Sequence, residues 1–130
     1  MAERIKVLTV ENDKRIAEVI KDILAFEEIE TDRVTWVKTA DEAIEALKSP
    51  EKPSIIILNL VLDSGIEESW QFIRYVRSPT SPFRDVPILV ITGMDASDVK
   101  MTCKTLGVEG FLAKPFAIED LLQSVKEVLK

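Results

Sequence analysis

Several polar residues that could take part in chemistry directly follow apolar runs of this 130-residue chain. They are the cluster Glu11-Asn12-Asp13, which carries two carboxylates and an amide, the amide Asn59, the hydroxyl Thr92 and the amine Lys114. An amine at such a place needs an anion nearby, and Glu11 is the nearest candidate. Asn59 is unexpected, because the surrounding pattern predicts a carboxylate where the sequence has an amide.

The run before Asn59 explains why this position matters. Ile55 to Leu58 are four consecutive large apolar residues, preceded by Pro53-Ser54. Such a run predicts a strand buried on both faces, as central parallel strands are. Reactive groups of doubly wound sheets lie at the carboxyl ends of the strands, and Asn59 occupies that end.

Strands and helices alternate along the rest of the chain. Further strands are predicted by the apolar runs Ile5–Val10, Val34–Val37, Val86–Ile91 and Val108–Ala113. Helical spacing of apolar residues predicts a first helix after Asp13, with Asn12 or Asp13 as its cap, on the stripe Ile16, Val19, Ile20, Ile23 and Leu24.

Four more helices follow from the same kind of pattern. Thr39 and Glu42 form a capping box for the second helix, and Gly107 is suited to end the fourth. Their predicted buried sides are Ala40, Ala43, Ile44 and Leu47; Trp70, Ile73 and Val76, ending near Arg77; Val99, Thr102, Cys103 and Leu106; and Ile118, Leu121, Leu122, Val125 and Leu129.

Five strand–helix units in succession predict an α/β fold with a five-stranded parallel sheet and helices on both faces, since each parallel connection needs a crossover. The expected arrangement is flavodoxin-like, with strand order 2-1-3-4-5. The polar strand ends would then converge on one rim of the sheet. We expect a single domain over residues 1–130, roughly 4–130, with no output domain in this chain.

Composition excludes several classes of function. The sequence has no histidine, which rules out Ser-His and Cys-His nucleophilic pairs and histidine-bound metals. The chain has a net charge of −6, whereas nucleic-acid-binding domains usually carry a basic surface. The single Cys103 cannot form an internal disulfide, and no signal peptide or membrane span is visible, so a cytoplasmic location is expected.

Four stretches in order resemble the response-regulator receiver domain of two-component signalling, a CheY-like superfamily. They are Val10-Glu11-Asn12-Asp13, Pro53 to Asn59, Pro87 to Gly93, and Gly110-Phe111-Leu112-Ala113-Lys114-Pro115-Phe116. In that family a carboxylate on the third strand takes a phosphoryl group from a histidine kinase. Two acidic residues after the first strand help that carboxylate to hold Mg²⁺, and a lysine offsets the developing charge.

Only some of the family's functional positions carry the usual residue in this chain. Thr92 matches the switch hydroxyl of the family, Lys114 matches its lysine, and Phe111 matches its aromatic switch. The resemblance also implies a cis peptide bond before Pro115. The phosphoacceptor position, however, is Asn59, and the second acidic position is Asn12. We therefore interpret Glu11, Asn12, Asn59 and Val61 as a degenerate acidic pocket, and expect no catalytic residue, no bound metal and no cofactor, with Mg²⁺ only if the pocket proves functional.

The leading hypothesis is a phosphorylation-independent pseudo-receiver, not an enzyme, that binds a protein partner. That partner would be a histidine kinase or a downstream signalling protein, bound through the fourth helix, fifth strand and fifth helix, with no nucleic acid and no membrane. The first alternative is a conventional Mg²⁺-dependent phosphoacceptor carrying an introduced Asp→Asn change at Asn59. The second is a flavodoxin-like cofactor binder or enzyme, disfavoured because only four glycines are present and none forms a phosphate loop.

Purely structural interpretations exist for several of these residues, although Lys114 followed by a proline is harder to explain in that way. Asn59 and Thr92 could simply end strands, and Asp13 is better explained as a helix cap than as a ligand. Phe111 and Trp70 are better explained by packing. Cys103 is typical of a small apolar core residue.

Overall fold

The computed structural model describes residues 5–25, 33–94 and 97–129. Within these residues five strands alternate with five helices, as the sequence predicts. The elements are β1 (Val7–Val10), α1 (Lys14–Ala25), β2 (Val34–Val37), α2 (Ala40–Leu47), β3 (Ile55–Asn59), α3 (Ile66–Arg77), β4 (Ile88–Thr92), α4 (Ser97–Thr105), β5 (Gly110–Ala113) and α5 (Ile118–Val128).

The strands form one parallel sheet in the order β2-β1-β3-β4-β5, which confirms the predicted topology. Strand β3 is central and every one of its residues is buried. In the register, Asn59 pairs with Ile91, and Thr92 pairs with Ala113. The strand ends that carry the candidate residues therefore lie side by side at one edge of the sheet.

Alternate residues of the strands pack on opposite faces of the sheet. Leu8, Ile56 and Val90 face one layer, which α2, α3 and α4 cover. Val7, Ile57 and Leu89 face the other, with buried residues of α1 and α5. Each fully buried side chain of this size contributes about 2 kcal/mol to folding, so the two layers hold the sheet rigidly beneath its functional edge.

The residues predicted to cap the helices do so in the structure. The Thr39 side chain accepts from the Glu42 N–H at 3.1 Å, and the Glu42 carboxylate accepts from the Thr39 N–H at 3.3 Å. Asp13 caps α1, accepting from the Arg15 N–H at 2.9 Å. Gly107 follows α4 with φ of +89°, a left-handed conformation that glycine adopts readily.

Three strands begin later than their apolar runs predict. Strand β1 starts at Val7 because the Lys6 N–H bonds instead to the Ser54 hydroxyl at 3.1 Å. Strand β4 starts after Pro87, which has no N–H to donate. Strand β5 starts at Gly110, since the Val108 N–H is still bonded to the Cys103 carbonyl at 3.0 Å.

Two residues predicted on buried helix faces are exposed. Val19 is 46% exposed, because the buried face of α1 is centred nearer to Ala17 and Ile20. Ile118 is 48% exposed in the first turn of α5, whose buried residues are Leu121 and Val125. Cys103 is buried, as a small core residue should be, and burial raises the pKa of its thiol. No described helix is long and apolar enough to span a bilayer.

Candidate functional site at the carboxyl edge of the sheet

Four strands bring the candidate polar residues to one edge of the sheet. Glu11 directly follows β1, Asn59 ends β3, Thr92 ends β4 and Lys114 directly follows β5. The backbone ties these ends together: the Leu60 N–H donates to the Ile91 carbonyl at 3.0 Å and the Lys114 N–H to the Thr92 carbonyl at 2.8 Å. The predicted convergence of these residues is therefore what the fold produces.

Asn59 lies at the centre of the edge and is 8% exposed. Its amide nitrogen lies 2.9 Å from Glu11 Oε2, 2.7 Å from Asn12 Oδ1 and 3.0 Å from the Val61 carbonyl oxygen. The two hydrogens of the amide are therefore shared among three acceptors. The residues of the predicted pocket do meet, and the group around which they meet is a hydrogen-bond donor.

Glu11 and Lys114 provide the charges of the pocket. The Glu11 side chain is 1% exposed, and its Oε1 lies 3.4 Å from Lys114 Nζ. Its Oε2 also accepts from the Asp13 backbone N–H at 3.1 Å. A carboxylate this buried is stable as an anion only when it is paired and hydrogen-bonded, and Lys114 and Asp13 meet both conditions.

Lys114 also reaches Asn59. Its Nζ lies 3.4 Å from Asn59 Oδ1, so one ammonium group faces both the carboxylate and the amide oxygen. The peptide bond between Lys114 and Pro115 is cis, as the resemblance implies.

Asn12 and Asp63 extend this network to the surface. Asn12 Nδ2 donates to Asp63 Oδ1 at 2.8 Å, and Asp63 is exposed in the loop between β3 and α3. Asp13, considered as an outer acidic group, instead caps α1, which agrees with its structural interpretation.

Thr92 and Phe111 lie near the pocket without a described contact to Asn59. Thr92 is fully buried, and its hydroxyl accepts from the Met94 N–H at 3.0 Å. Phe111 is half-buried in β5, with Lys100 Nζ 5.9 Å from the centroid of its ring. It lines a groove of 570 Å³ between α4, β5 and α5, together with Lys104, Glu109 and Glu127.

The donor set does not fit a divalent cation in this arrangement. The oxygens of Glu11, Asn12 and Val61 all point at the amide nitrogen of Asn59, and Glu11 is the one carboxylate among them. Mg²⁺ is bound through carboxylates and keeps several of its waters. Among the described residues, no group of three or more carboxylate or thiol side chains could hold a metal ion.

Besides the link between Asn12 and Asp63, two contacts to the pocket were missed by sequence reasoning. The Trp36 indole N–H donates to the Glu11 carbonyl at 2.7 Å, and the Ser69 hydroxyl donates to the Asn59 carbonyl at 3.3 Å. Ser69 had a signal, because it shares the helical face of Phe72, Ile73 and Val76 and a polar residue there needs a buried partner. No feature of the sequence around Trp36 indicates that its indole would reach Glu11.

Comparisons with known proteins agree with the fold. The model of the response regulator receiver domain family matches residues 7–126. The chain belongs to that family. The receiver domain is a signalling module of two-component response regulators, and members of the family typically bind Mg²⁺ at their phosphorylation site.

Individual relatives are distant in sequence and close in fold. The response regulator MprA of Mycobacterium leprae is 27% identical over 96% of this chain and 51% of its own length. The chemotaxis response regulator CheY4 of Vibrio cholerae superposes with a TM-score of 0.84 at 25% identity, covering 98% of this chain and 100% of its own. The non-phosphorylated HemR receiver domain of Leptospira biflexa gives a TM-score of 0.81 at 26% identity, covering 98% and 95%. This chain spans about half the length of the curated relatives it matches.

Proposed function

We propose that this receiver domain is a protein-interaction module that does not accept a phosphoryl group. The observation that carries the proposal is the environment of Asn59: its amide nitrogen is hydrogen-bonded to Glu11, Asn12 and Val61 at the end of the central strand. The amide nitrogen lone pair is delocalised into the carbonyl, and the amide oxygen carries no full charge. Neither atom is a competent nucleophile toward a phosphoryl donor.

The same environment supports weak or absent Mg²⁺ binding. A metal ion at this place would have to displace the Asn59 amide and would find one carboxylate, Glu11, whose other oxygen is already close to Lys114. The pair Glu11 and Lys114 is neutral as a unit, so the pocket offers little net charge to attract a cation. On this proposal the domain has no cofactor and is not an enzyme.

The groove between α4, β5 and α5 supports the binding of a protein partner. It combines a half-buried aromatic ring, Phe111, with charges of both signs from Lys100, Lys104 and Glu127. Aromatic groups with a charged border are typical of protein interfaces. The partner would be a histidine kinase or a downstream signalling protein in the cytoplasm, recognised by one receiver domain over residues 1–130.

Incubation with acetyl phosphate or a phosphoramidate and Mg²⁺ tests the proposal. We expect no mass increase, and no acid-stable or acid-labile phosphoryl on the protein. The matched control is Asn59→Asp, which restores a carboxylate at the same place. Phosphorylation of the unaltered protein at Asp13, Asp63 or any other carboxylate would refute the proposal.

A second candidate is a conventional phosphoacceptor in which Asn59 is an introduced change. It is favoured by Thr92 and Lys114, which stand at the edge of the sheet as the receiver reaction requires. The codon for residue 59 in the natural gene separates the two: an Asp codon favours this candidate and an Asn codon the pseudo-receiver. Membership in the receiver family argues against the flavodoxin-like alternative.

A further inference from the structure

The hydrogen bonds of the pocket form a continuous path with one direction. Lys114 Nζ donates to Asn59 Oδ1 at 3.4 Å, Asn59 Nδ2 donates to Asn12 Oδ1 at 2.7 Å, and Asn12 Nδ2 donates to Asp63 Oδ1 at 2.8 Å. The path runs from the end of β5, through the buried edge of the sheet, to the exposed loop between β3 and α3.

Groups that can only donate or only accept determine how both amides are oriented, and the Glu11 carboxylate and the Val61 carbonyl hold Asn59 the same way round. Lys114 can only donate, and an ionised Asp63 can only accept. Each Asn between them has one accepting and one donating end. If Asn12 turned over, its NH₂ group would face the NH₂ group of Asn59, and its oxygen would face the Asp63 carboxylate. Both contacts would be repulsive, so one orientation of each amide is selected.

The loop that carries Asp63 is anchored despite its exposure. Leu62 is 3% exposed and belongs to the core layer of α2 and α3. The Gly65 N–H donates to the Leu62 carbonyl at 2.8 Å and closes a tight turn around Asp63 and Ser64. Gly65 has φ of +102°, which permits that turn. Asp63 is therefore presented to Asn12 by a fixed piece of backbone.

We infer that Asp63 is a positioning residue for the pocket: from the surface it orients Asn12, and Asn12 is one of the three acceptors that hold the Asn59 amide at the centre of the site. This deepens the proposed function and rests on it for the role of the pocket, whereas the hydrogen bonds themselves can be tested separately. It couples the conformation of the β3–α3 loop to Lys114, directly after β5, without a metal or a phosphoryl group between them. A change in the loop that withdraws Asp63 would release the Asn12 side chain and free its oxygen to turn away from Asn59.

The test is hydrogen exchange of the Asn59 side-chain NH₂ group, measured by ¹⁵N NMR on the uniformly labelled chain. Asp63→Ala removes the acceptor, and Asp63→Lys replaces it with a donor. We expect exchange on the order of fivefold faster in the first variant, and faster still in the second. Asp63→Asn keeps an oxygen that can accept from Asn12, so exchange should stay near that of the unaltered protein.

A matched control separates the relay from a general change of charge. Glu67 is an exposed acid on the first turn of α3, and its ion pair with Arg74, at 3.6 Å, lies outside the path. Glu67→Lys should leave Asn59 exchange unchanged. Equal exchange in all Asp63 variants, or acceleration by Glu67→Lys, would overturn the inference. The backbone amide spectrum of each variant reports whether the fold is intact.

A second measurement detects the coupling directly. Asp63 and Asn59 have no described hydrogen bond to each other, so independent roles would give additive effects of Asp63→Ala and Asn59→Ala on the urea midpoint. The relay predicts a double variant less destabilised than that sum. Phosphorylation by acetyl phosphate would refute the proposed function and leave both of these results unaffected, which keeps the two failures distinguishable.

Discussion

The ammonium group of Lys114 lies 3.4 Å from a carboxylate oxygen of Glu11, across 103 residues of sequence, and the two differ sharply in exposure. Glu11 is 1% exposed at its side chain, whereas Lys114 is 25% exposed. Removing either partner therefore has different consequences. A lysine left alone can extend toward water, but a glutamate left alone stays in the protein interior.

Substitution at these two positions should consequently be asymmetric. Lys114→Met leaves a buried, unpaired carboxylate and should cost roughly 3 kcal/mol of unfolding free energy. Glu11→Gln can keep its oxygen toward Asn59 and Asp13 and turn its NH₂ group toward Lys114. The partly exposed ammonium can then move toward water, so this change should cost less, about 1 kcal/mol. Urea denaturation at neutral pH measures both. Equal losses, or a larger loss for Glu11→Gln, would show that the pair does not stabilise the fold in this way.

Asn59→Asp should convert the pocket into a site that needs a cation. The new carboxylate would face Glu11 Oε2 at the 2.9 Å that now separates it from the amide nitrogen. Like charges this close destabilise each other, so the variant should unfold at lower urea concentration in a chelator and recover with millimolar Mg²⁺. Isothermal calorimetry should show Mg²⁺ binding to the variant, with at least tenfold weaker binding to the unaltered protein.

The control for that experiment is Asn59→Ala, which removes the amide without adding charge. It should leave Mg²⁺ binding weak and should lower stability whether or not the ion is present. Mg²⁺ affinity of the unaltered protein equal to that of Asn59→Asp would contradict the role assigned to the amide.

Periodicity and strand ends were sufficient to predict the layers, the strand order and the meeting of Glu11, Asn59 and Lys114. These features follow from local patterns, since buried strands are apolar and parallel strands end on one edge. The link between Asn12 and Asp63 could not be predicted, because it depends on the path of the β3–α3 loop. The path of this loop depends on the buried side chain of Leu62 and on the turn at Gly65. Neither residue type indicates in the sequence that Asp63 will contact Asn12.

Thr9 provides a test of the buried side of the sheet. Its hydroxyl oxygen is buried without a hydrogen-bond partner among the described residues. Thr9→Val keeps the shape and removes the unsatisfied group, so it should raise the unfolding free energy by about 1 kcal/mol. Thr35→Val, at an exposed position of β2, is the matched control and should change stability little. A loss of stability in Thr9→Val would mean that the hydroxyl is satisfied in solution.

Cys103 gives the pH prediction. Burial raises the pKa of its thiol above 9.0, so the unfolded chain releases this proton at lower pH than the folded chain does. The stabilising contribution is complete below pH 9 and falls as the pH rises toward the folded-state value. Urea midpoints should decline less between pH 8.5 and 10 in Cys103→Ala than in the unaltered protein. Cys103 should also react with a disulfide reagent at pH 8 far more slowly in the folded than in the urea-unfolded chain.

Gly110 allows a close approach between β5 and α5. A Cβ built there would lie 2.7 Å from Val128 and 2.8 Å from Leu89, whereas a Cβ at Gly93 would meet nothing within 4 Å. Gly110→Ala should therefore force α5 away from the sheet and cost roughly 2 kcal/mol. Gly93→Ala should change stability by less than about 0.5 kcal/mol. Because α5 borders the groove lined by Phe111, Gly110→Ala should also weaken capture of a protein partner at that groove. Equal stability of the two variants would show that α5 can shift at no cost and would contradict this role of Gly110.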